Sequence, residues 1–279
     1  MAITSVDYVD DARIGTDPSL LLQPPAPART EWSTTPPWFD ESGWVLPIGG
    51  FLVRTEDSTV LIDAGLGPGV DELIAETDLP ARHEHSGKLL NSLAALGVTP
   101  DAVTDVVLTH LHADHVGWIA PHGAPVFPRA RHLCHRNDVE RLRADTGNHP
   151  AWAGVCGHVD AVSDLLVTAD AERTEVADGV ALRLFAGHTP GSCIVELDTA
   201  DGPVLLLGDT AHHPVLLVED GWTDRLDDDP AGAARARAHL VEEMERTGAV
   251  GFGAHFPGGR GGRITRHGHG GRAWTTQSA

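Results

Sequence analysis

Three imidazoles and one carboxylate stand within six residues at His110-Leu111-His112-Ala113-Asp114-His115. Neutral imidazole and carboxylate are ligands for zinc and its first-row neighbours. The segment follows an apolar run, Val106-Val107-Leu108, that reads as a strand. A histidine pair at i, i+2 where a strand ends can face one ion if the backbone turns. The Asp-His pair that follows then faces the other way, so one short loop can supply two different metal sites.

Three further places repeat this design, in which an apolar strand ends and a ligand-type residue follows beside glycine. They are Gly187-His188-Thr189-Pro190-Gly191, Gly208-Asp209-Thr210 and Gly253-Ala254-His255-Phe256-Pro257. Glycine lets the loop backbone crowd near an ion. Strand ends give the ligands a rigid base and leave the loops free for substrate.

The elements that must position these residues follow from periodicity and punctuation. Residues 51–53 and 60–62 bracket a turn at Glu56-Asp57-Ser58, which predicts a hairpin. Leucines at 89, 90, 93 and 96 followed by Gly97 predict a helix and its stop. Strands are expected at 105–109, 180–185, 194–197, 204–207 and 250–254. Asp229-Pro230 reads as N-cap and first helical position of a helix to about Thr247, with Ala233, Ala236, Leu240 and Met244 on one face and Gly248 as its stop. The Pro/Ala/Ser/Thr-rich stretch 22–37 reads as an extended arm or loop, and the glycine-rich stretch 258–271 as loops. Mixed hairpins and helical crossovers favour a layered α/β fold, taken as a single domain over 1–279 with 1–45 as an N-terminal arm or extension. Such an arm can swap or clamp a partner, giving a homodimer.

The 279 residues carry 20 Lys+Arg against 40 Asp+Glu, a formal charge of -20. That surface repels phosphate backbones and anionic lipid, which argues against nucleic-acid and membrane partners. No apolar run approaches the ~20 residues of a membrane span. The three cysteines are widely spaced and imply neither a disulfide framework nor a C-x-x-C site. Residues 1–17 lack the apolar core of a signal peptide, so a cytoplasmic location is expected.

Taken in order, H-x-H-x-D-H, G-H-T-P-G, G-D-T and the final strand-end histidine resemble the metallo-β-lactamase superfamily over roughly 50–262. Asp63 and Gly65 fit that family's early strand-turn. The resemblance implies an αβ/βα four-layer sandwich of two mixed β-sheets flanked by helices, with metals at one edge. It implies that His110, His112 and His188 bind one divalent ion, that Asp114, His115 and His255 bind a second, and that Asp209 bridges both. Zinc is the first expectation, with manganese, iron or cobalt as alternatives. A metal-bridging hydroxide would attack, with Asp114 or Asp209 moving the proton. Asp63 and Thr109 are candidates to orient ligands from outside. The stretch Gly208 to Pro214 resembles the lactonase and organophosphorus-hydrolase-like branch, which implies a small-molecule ester or lactone substrate. Thioesters and phosphotriesters are alternatives on the same site, and a non-catalytic metal-binding protein is the alternative of another class. Members with a cysteine ligand place it where Asp209 stands here, so β-lactam hydrolysis does not fit. Acyl-homoserine-lactone hydrolases often use a tyrosine near the bridging metal, whereas the one tyrosine here is Tyr8.

Outside the pattern the plainer readings hold. His83, His85, His122, His132, His135, His149, His158, His239, His267 and His269 read as surface or loop residues, and the cysteines as packing residues. His212 and His213, just past Asp209, are candidates for substrate contact. Trp118, Trp152 in the loop-like stretch 146–158, or an N-terminal tryptophan (Trp32, Trp38, Trp44) are candidates to line an apolar pocket. The acidic run 220–229 reads as a solvated loop, with Trp222 placed to face the site.

Overall fold

A computed structural model of the chain describes residues 3–25, 44–68, 82–144, 150–266 and 270–276. The first of two large sheets is built from β1 (Ser5–Thr16), β3 (Trp44–Arg54), β4 (Thr59–Ile62), β5 (Arg82–His85), β6 (Asp105–Val107), β7 (Arg131–His135) and β8 (Leu166–Ala169), in the order β5-β1-β3-β4-β6-β7-β8. The second runs β16-β15-β14-β12-β11-β10-β9. Its strands are β9 (Arg173–Ala177), β10 (Val180–Leu184), β11 (Cys193–Thr199), β12 (Gly202–Leu206), β14 (Val250–Phe252), β15 (Gly262–Arg266) and β16 (Arg272–Thr276). A two-stranded ribbon pairs β2 (Leu22–Gln23) with β13 (Thr223–Asp224). The helices are α1 (Leu89–Ala95), α2 (Ala113–Val116), α3 (Arg136–Ala144), α4 (Pro150–Ala161), α5 (Val215–Val218) and α6 (Pro230–Thr247).

Strand alternation sorts the apolar residues into layers. Phe51, Val53, Val60, Ile62 and Val107 meet Val180, Leu182, Val195, Leu197 and Leu206 in one buried cluster between the sheets. Leu52, Leu61 and Val106, the intervening positions, pack outward with Leu89, Leu93, Val139, Leu142, Val155 and Val159 from the helices. On the far side, Ile194 and Leu205 pack with Leu240, Val241 and Met244 of α6. Helix, sheet, sheet, helix is the expected four-layer order. Parallel pairs β4·β6 and β12·β14 lie within otherwise mixed sheets. The loops that follow β6, β10, β12 and β14 carry the candidate ligands.

The hairpin β3·β4, the helix ending at Gly97 (φ 76) and α6 ending at Gly248 (φ 67) match the sequence reading. Asp229 occupies the N-cap of α6, but its side chain makes no cap hydrogen bond. Four expectations need correcting. Residues 5–16 are not an arm, because β1 pairs with β3 along its whole length. Within 258–271, residues 262–266 form β15 and pair with β16, so this stretch is partly sheet. Trp152 lies on helix α4 rather than in a loop. His132 and His135 are buried on β7, because this strand is covered on both faces. Trp32 and Trp38, and the arm-like stretch beyond Pro25, lie outside the described residues. Among the described residues no helix is long and apolar enough to cross a membrane.

One close backbone approach fixes the β10 loop. Gly187 has φ 151, and a Cβ there would lie 2.3 Å from the backbone nitrogen of Ala233 in α6. Asp228 and Asp229 donate their backbone N–H groups to the carbonyls of His188 and Gly187, at 3.0 and 2.9 Å. The start of α6 therefore holds the His188 loop directly. A Gly187→Ala substitution is expected to destabilise the fold by about 2 kcal/mol. Gly157→Ala, on exposed helix surface with nothing within 4 Å of the new Cβ, should leave stability equal or raise it by up to ~1 kcal/mol. Urea unfolding of the two metal-free variants checks the contrast.

Candidate metal centre

Asp63 sets the first loop. It follows β4 with φ 60, a left-handed conformation that no other described non-glycine residue adopts. Asparagine and aspartate tolerate that region better than most residues, and surrounding structure must still hold it. Here the carboxylate accepts the backbone N–H of Thr109 (2.8 Å), the Thr109 hydroxyl (2.9 Å) and His115 Nδ1 (2.9 Å). Thr109 Oγ1 in turn lies 3.2 Å from His110 Nδ1. A single aspartate thus orients an imidazole at each end of the six-residue motif. Across the site, a Cβ on Gly208 (φ 49) would meet the Thr109 hydroxyl at 2.8 Å, so the Asp209 loop needs that glycine to approach.

Asp138 ties the histidine loops to each other. It is 3% exposed at the start of α3 and accepts the Leu111 N–H (3.1 Å), the Thr189 hydroxyl (2.9 Å) and the Gly191 N–H (2.7 Å). Leu111 separates His110 from His112, and Thr189 follows His188.

The side chains converge in two clusters. In the first, His112 Nδ1 lies 2.9 Å from His110 Nε2 and 3.0 Å from His188 Nε2, and both Nε2 atoms lie 3.5 Å from Asp209 Oδ2. In the second, His115 Nε2 is 3.2 Å from Asp209 Oδ2 and 3.7 Å from Asp114 Oδ2. His255 Nε2 is 3.3 Å from Asp114 Oδ2 and 3.3 Å from Asp209 Oδ1. Two donors of one tetrahedral ion at 2.0–2.1 Å lie about 3.3 Å apart. The observed spacings match that requirement. His115 Nε2 and Asp209 Oδ1 are buried without a hydrogen-bond partner, a cost that a cation between them removes. The donor set therefore fits two divalent ions, and Asp209 belongs to both clusters.

The electrostatics differ between the clusters. Burial, helped by neighbouring imidazoles, holds His110 and His188 well below the ordinary histidine value, and holds His112 at about 4. Burial also acts against charge on His115, but the carboxylates of Asp209, Asp114 and Asp63 outweigh it and raise its pKa well above the ordinary value. His255 is raised to about 9, as Asp209 and Asp114 overcome its burial. Asp209 is pushed up by burial, but His212, His255 and His115 outweigh this and hold it well below the usual carboxylate range.

Other candidates separate clearly. His212 lies at the centre, with Nε2 3.0 Å from Asp209 Oδ2 and Nδ1 2.6 Å from Asp224 Oδ2. His213 is buried edge-on against Trp44, and its Nδ1 accepts the Val215 N–H, so it packs the core. Trp118 is buried under the first sheet and donates Nε1–H to Asp11 Oδ1 at 2.8 Å. Trp222 is also buried, in the α6 cluster. The side chain of Trp152 lies outside the described residues. Cys134, Cys156 and Cys193 are free, and burial raises the Cys134 thiol to about 12.

The sequence reading missed four side chains around the centre. Asp138 carries no motif. Asp224 and Asp227 lie in the acidic run taken as solvated, yet both are buried. Asp227 accepts from Arg237 Nη2 at 2.9 Å and stands 3.6 Å from His188 Nδ1, while Arg237 Nη1 donates to the Thr210 carbonyl. A signal was present, because Arg237 sits within the apolar stripe of α6, where a cation requires a buried partner.

A model of the metallo-beta-lactamase superfamily matches residues 49–249. The chain belongs to that superfamily. The N-acyl homoserine lactonase AiiB of Agrobacterium fabrum is 29% identical over 188 residues, which cover 60% of this chain and 64% of the lactonase. Metallo-beta-lactamase domain-containing protein 1 of Rattus norvegicus is 30% identical over 224 residues, covering 77% of this chain and 74% of the relative. Among solved structures, the hydrolase AbOPH superposes with a TM-score of 0.80 at 22% identity, covering 100% of this chain and 97% of that one. The dizinc lactonase AidC superposes with a TM-score of 0.70 at 23% identity, covering 84% and 81%. At these identities the structural matches establish the superfamily fold.

Protons and metal compete for the second cluster of this metallo-beta-lactamase-type site. Protons on His115 and His255 stabilise the metal-free fold below the unfolded value of 6.5, and for His255 that stabilisation is lost as pH rises through about 9. Metal affinity of the second cluster should therefore climb as pH rises toward about 9. The first cluster, whose imidazoles are already neutral, should be flat above the His112 value of about 4. Calorimetric titration in buffers of different ionisation enthalpy separates the two. Asp138→Ala is expected to weaken metal binding at the first cluster by about 10–100-fold, measured by competition with a chromophoric chelator.

Proposed function

We propose that this chain is a dinuclear metal-dependent hydrolase that cleaves an ester or lactone bond of a small molecule. The observation that carries this reading is Asp209, a buried carboxylate shared by two clusters whose remaining donors are imidazoles and Asp114. Two divalent ions bound there, zinc first by donor chemistry, would supply an activated water nucleophile and polarise the scissile carbonyl.

The chain's own residues have distinct tasks. His110, His112 and His188 hold one ion, and Asp114, His115 and His255 the other. Asp209 stays ionised through neutral pH and joins the two. Asp114 has a side chain 28% exposed and can carry a proton between the attacking water and the leaving alkoxide. Asp63 and Thr109 keep imidazoles turned inward, and Asp138 ties their loops together.

The similarity to AiiB supports a lactone over the other acyl substrates. Tyr8 of β1 packs edge-on against Phe51 of β3 in the apolar cluster between the sheets, and the choice is the broader class of lactones and esters. Three free cysteines accord with a reducing, cytoplasmic compartment.

Metal-loaded protein is expected to hold about two ions per chain and to hydrolyse chromogenic esters or lactones of varied acyl length. His112→Ala should reduce that hydrolysis to background with the fold retained by circular dichroism. Full metal content with no turnover on ester, lactone, thioester and phosphotriester substrates would leave a non-catalytic metal-binding protein as the answer.

A further inference from the structure

Three imidazoles around Asp209 share one arrangement, with one nitrogen aimed at the centre and the other anchored outside it. His110 is anchored by Thr109, His115 by Asp63 and His255 by the Pro47 carbonyl at 3.0 Å. His112 is turned the other way, with Nδ1 inward. His212 repeats the common arrangement, with Nδ1 on Asp224 at 2.6 Å and Nε2 3.0 Å from Asp209 Oδ2. It is 3% exposed. Its ring stacks on His255 (centroids 5.3 Å apart, planes 8° apart) and meets His188 edge-on at 5.0 Å, so it stands between a residue of each cluster. Its inward nitrogen lies with donor atoms of Asp209 and His255, all within 4.8 Å of one another.

The anchor decides what this nitrogen offers. A carboxylate on Nδ1 holds the hydrogen there, so that Nε2 is the nitrogen that gives up its proton and presents a lone pair to a metal. Asp224 is itself fixed, since it also accepts the Leu226 N–H at 3.0 Å, and β13, which contains it, pairs with β2. Carboxylate, imidazole and inward lone pair make the arrangement in which histidines are held for a metal. We propose that His212, anchored by Asp224, is an eighth protein donor of the centre, serving the ion held by Asp114, His115 and His255. This rests on the dinuclear reading above. A further neutral imidazole raises the affinity of an otherwise carboxylate-rich site and favours zinc or cobalt over magnesium or calcium.

The test titrates cobalt(II) into metal-free wild type, His212→Gln, His212→Ala and Asp224→Asn, following the visible d–d bands and a chelator competition. The expected result is two binding steps in wild type. In His212→Gln the second step should weaken by about 10–100-fold, with a changed band shape and the first step unaltered. Imidazole added to His212→Ala should restore the wild-type bands. Asp224→Asn, which leaves His212 in place, should weaken the second step in the same direction and covers the case in which the His212 variants fail to fold. Unchanged affinity and bands in folded His212→Gln overturn the proposal and leave the dinuclear reading intact. A single binding step in wild type overturns both.

Discussion

Eight ionisable side chains share one space, and Asp209 makes that arrangement tolerable. Its carboxylate lies within 3.0–3.5 Å of ring nitrogens from His110, His115, His188, His212 and His255. A charge removed from water in this way is strongly unfavourable unless opposite charge or coordination compensates it. Converging imidazoles repel one another where they are charged, and they lower one another's pKa in the first cluster. Asp209 resolves both problems by facing all of them. The fold around it is arranged to bring five histidines from four loops to one carboxylate.

That task falls to a ring of outer groups rather than to the ligand-type residues themselves. Asp63 fixes the ends of the six-residue motif, and Asp138 joins that motif to the His188 loop. Asp224 holds His212, and the Arg237–Asp227 pair stands behind His188. These groups come from the end of β4, the start of α3, the ribbon strand β13 and helix α6. The two sheets bring such distant segments together because their inner faces are apolar and pack directly on each other. Gly187 lets helix α6 press against the His188 loop, so the second layer of helices helps to position ligands as well as to cover the sheet.

The elements of the fold were largely readable from the chain, for reasons that can be named. The β3·β4 hairpin, α1 with its terminal glycine, and α6 between Pro230 and Gly248 all rest on local signals of periodicity and backbone conformation. Strand β1 was misread as an arm because its alternation is weak, with Asp7, Asp10 and Asp11 among the apolar positions. One of these, Asp11, is fully buried and accepts four hydrogen bonds from Leu66, Gly67, Leu89 and Trp118. The β15·β16 hairpin was missed because glycine marks loops in a sequence, whereas Gly262 here pairs within a sheet.

The seven ligand-type residues that the structure brings together stand out in the sequence, since ligand chemistry requires particular residue types and the strand-loop spacing is local. Their grouping around Asp209, the orientation of each ring and the unequal proton affinities of the two clusters depend on tertiary structure. The carboxylates that impose them lie far along the chain from the histidines they contact, as Asp63 does from His115 at 52 residues, or inside a run whose composition suggested solvent. A buried aspartate and a solvated one have the same letter in a sequence. Whether Asp224 and Asp227 meet water or an imidazole is decided only when α6 closes over them, because burial is a property of the packed chain and not of its composition.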